Sequence, residues 1–130
     1  MFSHVTLAAD DFEALRSFYA AVLSELGCKE RFYKPEAPYS TWCDAGGERP
    51  LLFLTSPFNG QAHHAGNGQM IAYLAPTREA VTRAYEAAMA NGATDEGPPG
   101  PRPQYHPDYF GAYARDPFGN KFCICCHEAE

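Results

Sequence analysis

Apolar residues recur along this chain with two different periods, and the switch between them divides it into short elements. His4 to Ala9 alternates and is rich in β-formers, and Asp10-Asp11 then offers a carboxylate to cap a following helix. Beyond it Phe12, Leu15, Tyr19, Val22, Leu23 and Leu26 fall at three- and four-residue steps as far as Gly27, a residue suited to end a helix. A strand followed by an amphipathic helix is predicted. Three short strands should follow, Cys28 to Tyr33, Tyr39 to Cys43 and Leu51 to Thr55, separated by Pro-containing or Gly-Gly turns.

Residues 56–68 contain Pro57, Asn59-Gly60 and Gly66-Asn67-Gly68, a polar and turn-rich stretch that reads as a linker. The pattern then restarts. Met70 to Ala75 reads as a strand, and Pro76-Thr77 leads into a helix with a stripe of Val81, Ala84, Tyr85, Ala88 and Met89, stopped by Asn91-Gly92. At an offset of 66 residues, Ala9, Ala14, Tyr19 and Ala21 fall on Ala75, Ala80, Tyr85 and Ala87, and Leu23 falls on Met89. Farther on, at an offset of 72, Tyr39 to Asp44 followed by Gly47 and a strand matches Gly111 to Asp116 followed by Gly119 and a strand. Order, element type and turn chemistry recur together, which predicts two βαβββ modules: residues 1–57, a linker over 58–68, and residues 69–130. Between Asp95 and Tyr109, Pro98, Pro99, Pro101, Pro103 and Pro107 withhold ladder donors, so a stiff loop is expected with at most a short edge strand near its start.

Composition narrows the function classes. At 130 residues, 45% of them hydrophobic and with a net charge of -6, the chain suits one α+β domain with its own core and lacks the dense basic surface that nucleic acid or an anionic membrane requires. Met1-Phe2-Ser3-His4 does not open a signal peptide and no apolar run could span a bilayer, so a cytoplasmic location is expected. Five cysteines, three of them at 123, 125 and 126, do not form a secreted disulfide framework and read as free thiols. No phosphate-cradling Gly loop, nucleophile elbow or His-Glu-x-x-His helix occurs.

An opening His-Val-x-Leu, a capped helix reading Phe-x-x-Leu-x-x-Phe-Tyr, and a closing Arg115-Asp116-Pro117-Phe118-Gly119-Asn120-Lys121 together resemble the vicinal-oxygen-chelate superfamily. That group contains glyoxalase, bleomycin and fosfomycin resistance proteins and extradiol dioxygenases. The resemblance implies that the two modules form a cupped mixed sheet with helices on its outer face, that a small molecule or metal occupies the cup, and that the protein is a homodimer. It also implies four ligand positions, at His4, Phe53, Met70 and Cys123, where glyoxalase-like members usually carry His or Gln, Glu, His and Glu. Only His4 keeps a metal-ligating type suited to a hard divalent ion, so a divalent metal is poorly served and no other cofactor is implied. Met70 and Cys123 read as packing residues of the cup floor or as ligand contacts, and a soft site of His4, Met70 and Cys123 for copper(I) or zinc is the alternative.

Arg102, Tyr105, His106 and Tyr109 follow the Pro-rich segment, where the resemblance puts the cup mouth, and are the candidates for ligand contact beside Phe53, Met70 and Cys123. His4 and Tyr113 are the candidates for orienting a substrate oxygen. Alternation sets Cys123 and Cys125 on one strand face and Cys126 on the other, and with His127 they lie too close together for a tetrahedral zinc finger. His63-His64 reads as a solvated pair in the linker. Three functions stay open: a glyoxalase-like lyase or isomerase with a degenerate metal site, a non-catalytic binding or drug-sequestering resistance protein, and a metal-dependent dioxygenase or lyase with unusual ligands.

Overall fold

The computed structural model describes residues 1–130 and divides them into two compact units, Met1–His64 and Ala65–Glu130. Each unit repeats one order of elements. The first runs β1 (His4–Ala8), α1 (Phe12–Glu25), β2 (Cys28–Lys34), β3 (Tyr39–Asp44) and β4 (Leu51–Thr55). The second runs β5 (Ile71–Leu74), α2 (Arg78–Ala90), β6 (Thr94–Pro101), β7 (Phe110–Arg115) and β8 (Lys121–Cys126). The strands form two four-stranded mixed sheets, ordered β1-β4-β3-β2 and β5-β8-β7-β6, and the predicted α+β repeat of βαβββ modules is what the chain adopts. In each, the last strand returns to lie parallel to the first, leaving an antiparallel meander on its other side.

Local chemistry accounts for the boundaries. Asp11 accepts the Ala14 amide at 3.0 Å and Thr77 accepts the Ala80 amide at 3.1 Å, so both helices begin on a side-chain cap. Gly27 and Gly92 take φ of 78° and 97° just past the helix ends, a conformation that glycine adopts without steric cost. Helix α1 buries Phe12, Leu15, Phe18, Tyr19, Val22 and Leu23 against the first sheet. Each side chain of that size contributes roughly 1.5–3 kcal/mol. Helix α2 buries the smaller set Ala80, Val81, Ala84 and Ala88. Met89, expected in that stripe, is 37% exposed, because the buried positions 81, 84 and 88 define a stripe that leaves residue 89 at its edge.

The Pro-rich segment departs from expectation. Eight residues, Thr94–Pro101, form β6, a longer strand than the prolines predict. The chain tolerates this because β6 is an edge, where a missing amide proton leaves no central ladder broken. Its pairing with β7 is irregular, with breaks between Asp95 and Gly97 and between Gly97 and Gly100, and Pro98 and Pro99 lie in the second break. No helix is long and apolar enough to cross a membrane.

Two polar networks lock local geometry. In the first unit, Arg16 on α1 makes a bidentate ion pair with Glu30 on β2, both contacts at 2.8 Å. Glu30 also accepts from Ser40, which in turn accepts the Trp42 indole N–H at 2.9 Å. In the second unit, Asp116 is almost fully buried and closes the turn between β7 and β8. Its Oδ1 accepts the amides of Phe118 and Asn120 at 2.9 and 3.0 Å, and its Oδ2 accepts the Asn120 side-chain amide at 2.9 Å.

Replacing Asp116 with Ala orphans those donors and should destabilise the fold by about 2–4 kcal/mol, read as a lower midpoint in urea unfolding. Glu30→Ala leaves the three-quarters-buried Arg16 with only the longer contact to Glu13 at 4.0 Å and the Tyr33 ring. It is expected to cost about 1–3 kcal/mol, whereas Glu30→Gln, which keeps the Ser40 hydrogen bond, should cost less in the same titration.

Candidate functional site

Pairing of β7 with β8 sorts the second sheet into two faces. Tyr113 lies opposite Cys123, Gly111 opposite Cys125, and Ala112 and Ala114 opposite Ile124 and Phe122. The face bearing Phe110, Ala112, Ala114, Phe122, Ile124 and Cys126 is the helix side, where the Arg78 guanidinium of α2 lies 5.4 Å from the centre of the Phe110 ring. Its alanines let the helix approach closely. Gly111, Tyr113, Cys123 and Cys125 occupy the opposite, helix-free face, with Ala72 and Leu74 of β5 beside the cysteines.

Residues 102–109 fold back onto that face. Arg102 N donates to Tyr109 O at 2.9 Å, and Tyr105 N and Tyr109 N donate to Arg102 O and His106 O, so the prolines stiffen a loop already closed by its own backbone. Tyr109 is delivered over Gly111, where a Cβ would come within 2.8 Å of its ring, so only glycine leaves the ring its seat. The Tyr109 hydroxyl then lies 3.4 Å from the Cys123 sulfur and 2.9 Å from the Tyr113 hydroxyl. Tyr105 and His106 pack edge-on against the Tyr109 ring, with centroids 5.1 and 5.6 Å away. The Arg102 guanidinium lies 5.8 Å from the centre of the Tyr113 ring and is held by the carbonyls of Pro98 and Pro101.

The hydrogen bonds from the other side have a readable direction. Asp108 N can only donate, so His106 Nδ1, at 3.2 Å, is the acceptor and carries no proton. His106 Nε2 therefore donates to His127 Nδ1 at 2.8 Å. His127 must then carry its proton on Nε2, which faces the Cys125 sulfur at 3.7 Å. Cys125 lies next along the same strand face as Cys123.

The Tyr109 hydroxyl is in hydrogen-bonding contact with the Cys123 sulfur. The Cys123 thiol is pulled down to about 7, chiefly by the hydrogen bond from Cys125, with Tyr109, Tyr113 and the charge of Arg102 assisting against the opposing effect of burial. The neighbours move the other way. Cys125 is raised by its hydrogen bond to Cys123 and by burial, Tyr109 by burial and then by its bond to Cys123, and Tyr113 chiefly by burial. The shifts thus run in opposite directions, down at Cys123 and up at Cys125 and Tyr109.

The first unit presents a different face. His4 and Phe53 meet with ring centroids 4.8 Å apart, Phe53 meets Tyr39 at 5.2 Å, and Tyr39 meets Phe32 at 5.4 Å, an aromatic row across the sheet. His4 Nδ1 is engaged by the Ser3 hydroxyl at 3.0 Å. Met70 precedes β5 and is 45% exposed, and Cys123 is fully buried. A phenyl ring, a thioether and a buried thiol in contact with the Tyr109 hydroxyl do not match the oxygen and imidazole ligands of a hard divalent ion, so such a metal does not fit these four positions. Nor do three His, Cys, Asp or Glu side chains converge elsewhere in ligating geometry. His63 and His64 line a shallow concavity of about 430 Å³ with Ala8, Pro57, Phe58 and Gln61, and the His63 amide is held by Asp10.

Of the residues singled out from the sequence, Arg102, Tyr105, His106, Tyr109, Tyr113 and Cys123 are brought together on the second unit, and His4 and Phe53 are brought together on the first. Met70 joins neither ring cluster nor thiol network. Sequence reasoning did not connect Cys125 and His127 to the tyrosines. The signal was the two-residue step 123, 125, 127, which continues one face past the strand end.

The sequence profile of the glyoxalase/bleomycin resistance protein/dioxygenase superfamily matches residues 1–124. A solved glyoxalase/bleomycin resistance protein from Albidiferax ferrireducens T118 is 34% identical, covers 97% of this chain and 98% of its own, and superposes with a TM-score of 0.85. A glyoxalase/bleomycin resistance protein/dioxygenase family enzyme from Burkholderia phytofirmans PsJN, 23% identical over 97% of this chain and 98% of its own, gives 0.72. Lactoylglutathione lyase from Agrobacterium tumefaciens, 20% identical over 97% and 92%, gives 0.64 and shares the fold. No curated protein matches the sequence. The repeated βαβββ order, the Asp116 turn and the match over nearly the whole length place this chain in the glyoxalase/bleomycin resistance protein/dioxygenase superfamily.

Proposed function

We propose that this protein binds a compact small molecule bearing an anionic or hydrogen-bonding oxygen on the helix-free face of its second sheet. The observation that carries the reading is the juxtaposition of Arg102, Tyr113, Tyr109 and Cys123, a cation and three polar tips on a face that also carries Gly111, Cys125, Ala72 and Leu74, with Arg115 and Lys121 at its end. Such a surface combines apolar contact with a few orienting polar groups, as small-molecule sites do. Arg102 supplies charge for an anionic oxygen, and Tyr113 supplies a hydroxyl beside it. His4, with its ring against Phe53, is a second orienting group on the first unit.

Binding is the core of this reading, and the chemistry that follows it separates two functions. A glyoxalase-like lyase or isomerase uses Tyr113 to handle a proton of the bound compound, and a resistance-type protein only holds it. The poor fit of a hard metal to His4, Phe53, Met70 and Cys123 favours binding or metal-independent proton transfer. The protein is further proposed to act as a homodimer, which sedimentation equilibrium measures directly.

The test is a binding screen of small carboxylates, phenols and carbonyl compounds by calorimetry on tag-free protein. Arg102→Ala and Tyr113→Phe should each weaken the best ligand by roughly tenfold, the effect of one hydrogen bond or close charge. Formation of a product marks a lyase or isomerase; saturable binding without product marks sequestration. A ligand whose affinity is untouched by both Arg102→Ala and Tyr113→Phe overturns the assignment of this face.

A further inference from the structure

We propose that residues 102–109 form a lid over the helix-free face of the second sheet and that the His106–His127 pair is its proton-sensitive catch, closed while both rings are neutral and released in mild acid. The catch stands on its hydrogen bonds; what the lid covers rests on the binding reading for this face.

The catch ties the lid to the end of β8. His106 lies in the loop, and His127 directly follows Cys126, the last residue of the strand. His106 Nε2 donates to His127 Nδ1 at 2.8 Å. The His127 ring also meets the Tyr109 ring edge-on, with centroids 5.3 Å apart. One imidazole therefore holds both the loop and the tyrosine whose hydroxyl reaches Tyr113 and Cys123.

The direction of the bonds makes this contact sensitive to protons. Of the four ring nitrogens, two carry hydrogens: His106 Nε2 toward His127, and His127 Nε2 toward the Cys125 sulfur. The other two receive hydrogens, His106 Nδ1 from the Asp108 amide at 3.2 Å and His127 Nδ1 from His106. An added proton has only those two acceptors to go to. On His127 Nδ1 it confronts the His106 N–H. If His106 moves its own hydrogen to Nδ1 in response, that hydrogen confronts the Asp108 amide, which can only donate. Either way two N–H groups face each other and a bond holding the loop is lost.

The surroundings offer the protonated pair no countercharge. Cys125 on β8 and Tyr109 in the loop touch it, and thiols and phenols ordinarily ionise only above about pH 8. Tyr105 is a third phenol, packed on Tyr109, and Asp108 meets His106 through its backbone amide. Arg102, at the start of the loop, carries the same sign as a protonated imidazole. Glu128 is exposed and Glu130 pairs with Arg78 of α2 at 3.7 Å. The neighbouring strands bring Leu74 beside Cys125 and Phe110 beside Cys126, both uncharged.

A closed catch thus has no place for a proton, whereas two released imidazoles take up one each near the ordinary value of about 6.5. Closure is strongest above that value and is lost as pH falls through it. The ratio of open to closed lid should rise about a hundredfold from about pH 7.5 to about pH 5.5, roughly tenfold for each proton taken up. Opening lifts Tyr109 from its seat over Gly111 and uncovers the face bearing Tyr113 and Cys123.

The experiment is hydrogen exchange of the Asp108 and Tyr109 amides in the ligand-free chain from about pH 5.5 to about pH 7.5, each rate divided by that of the unfolded chain at the same pH. Protection of both amides should fall about a hundredfold toward acid while β3 and β8 keep theirs. His127→Asn sets an amide oxygen where Nδ1 accepts and removes one titrating ring, so neutral protection should be retained and the acid loss should shrink to about tenfold. His127→Ala should leave the loop as weakly protected at neutral pH as the wild type is in acid.

Loop protection that is equal at the two ends of this range overturns the proposal, as does an acid loss shared by β3 and β8 or left undiminished by His127→Asn. Wild-type protection at neutral pH in His127→Ala overturns it too. Because no ligand is present, failure here leaves the binding face to its own affinity test, and a ligand indifferent to Arg102→Ala and Tyr113→Phe leaves the catch standing.

Discussion

The buried carboxylate of Asp116 holds β7 and β8 in register by gathering the amides of Phe118 and Asn120 and the Asn120 side chain into one tight turn. Strand side chains alternate with a period of two, so a slip of one residue in one strand would carry its side chains to the other face. Cys123 and Cys125 would then pack under α2, and Phe122 and Ile124 would be left on the helix-free side without the helix to cover them. The arrangement of tyrosine, thiol and arginine on the second sheet thus depends on a turn that touches none of them.

The two units use one topology for different surfaces. In the first, the Arg16, Glu30, Ser40 and Trp42 network ties helix to sheet, and the opposite face carries a row of aromatic rings from His4 to Phe32. In the second, small residues on α2 and on the helix side of β7 allow close packing, while Gly111 makes room on the other face for the Tyr109 ring. The absence of a side chain at that one position is what lets the Tyr109 hydroxyl reach Tyr113 and Cys123.

Burial ordinarily raises a thiol, because the anion loses water. At Cys123 the surrounding groups outweigh that effect, and at Cys125 and Tyr109 they reinforce it. A backbone amide that can only donate fixes which ring nitrogens of His106 and His127 carry protons, and so which group faces Cys125.

The sequence by itself determined the elements, because caps, three- and four-residue apolar stripes and glycine stops act locally: Asp11, Thr77, Gly27 and Gly92 fall where the chain chemistry requires. It also determined the repeat, the family and the neighbourhood of Arg102, Tyr105, His106 and Tyr109, since a proline-stiffened loop next to β7 has few places to go. The length of β6 was hidden, because a proline's tolerance depends on whether its strand is an edge. The exposure of Met89 was hidden too, because a stripe's edges depend on what packs against it. Only the tertiary structure joined His106 to His127 and Cys125, 21 and 19 residues apart, and set Tyr109 against Cys123. A proton's position follows from distances and directions between groups remote in the chain, and residue spacing carries neither.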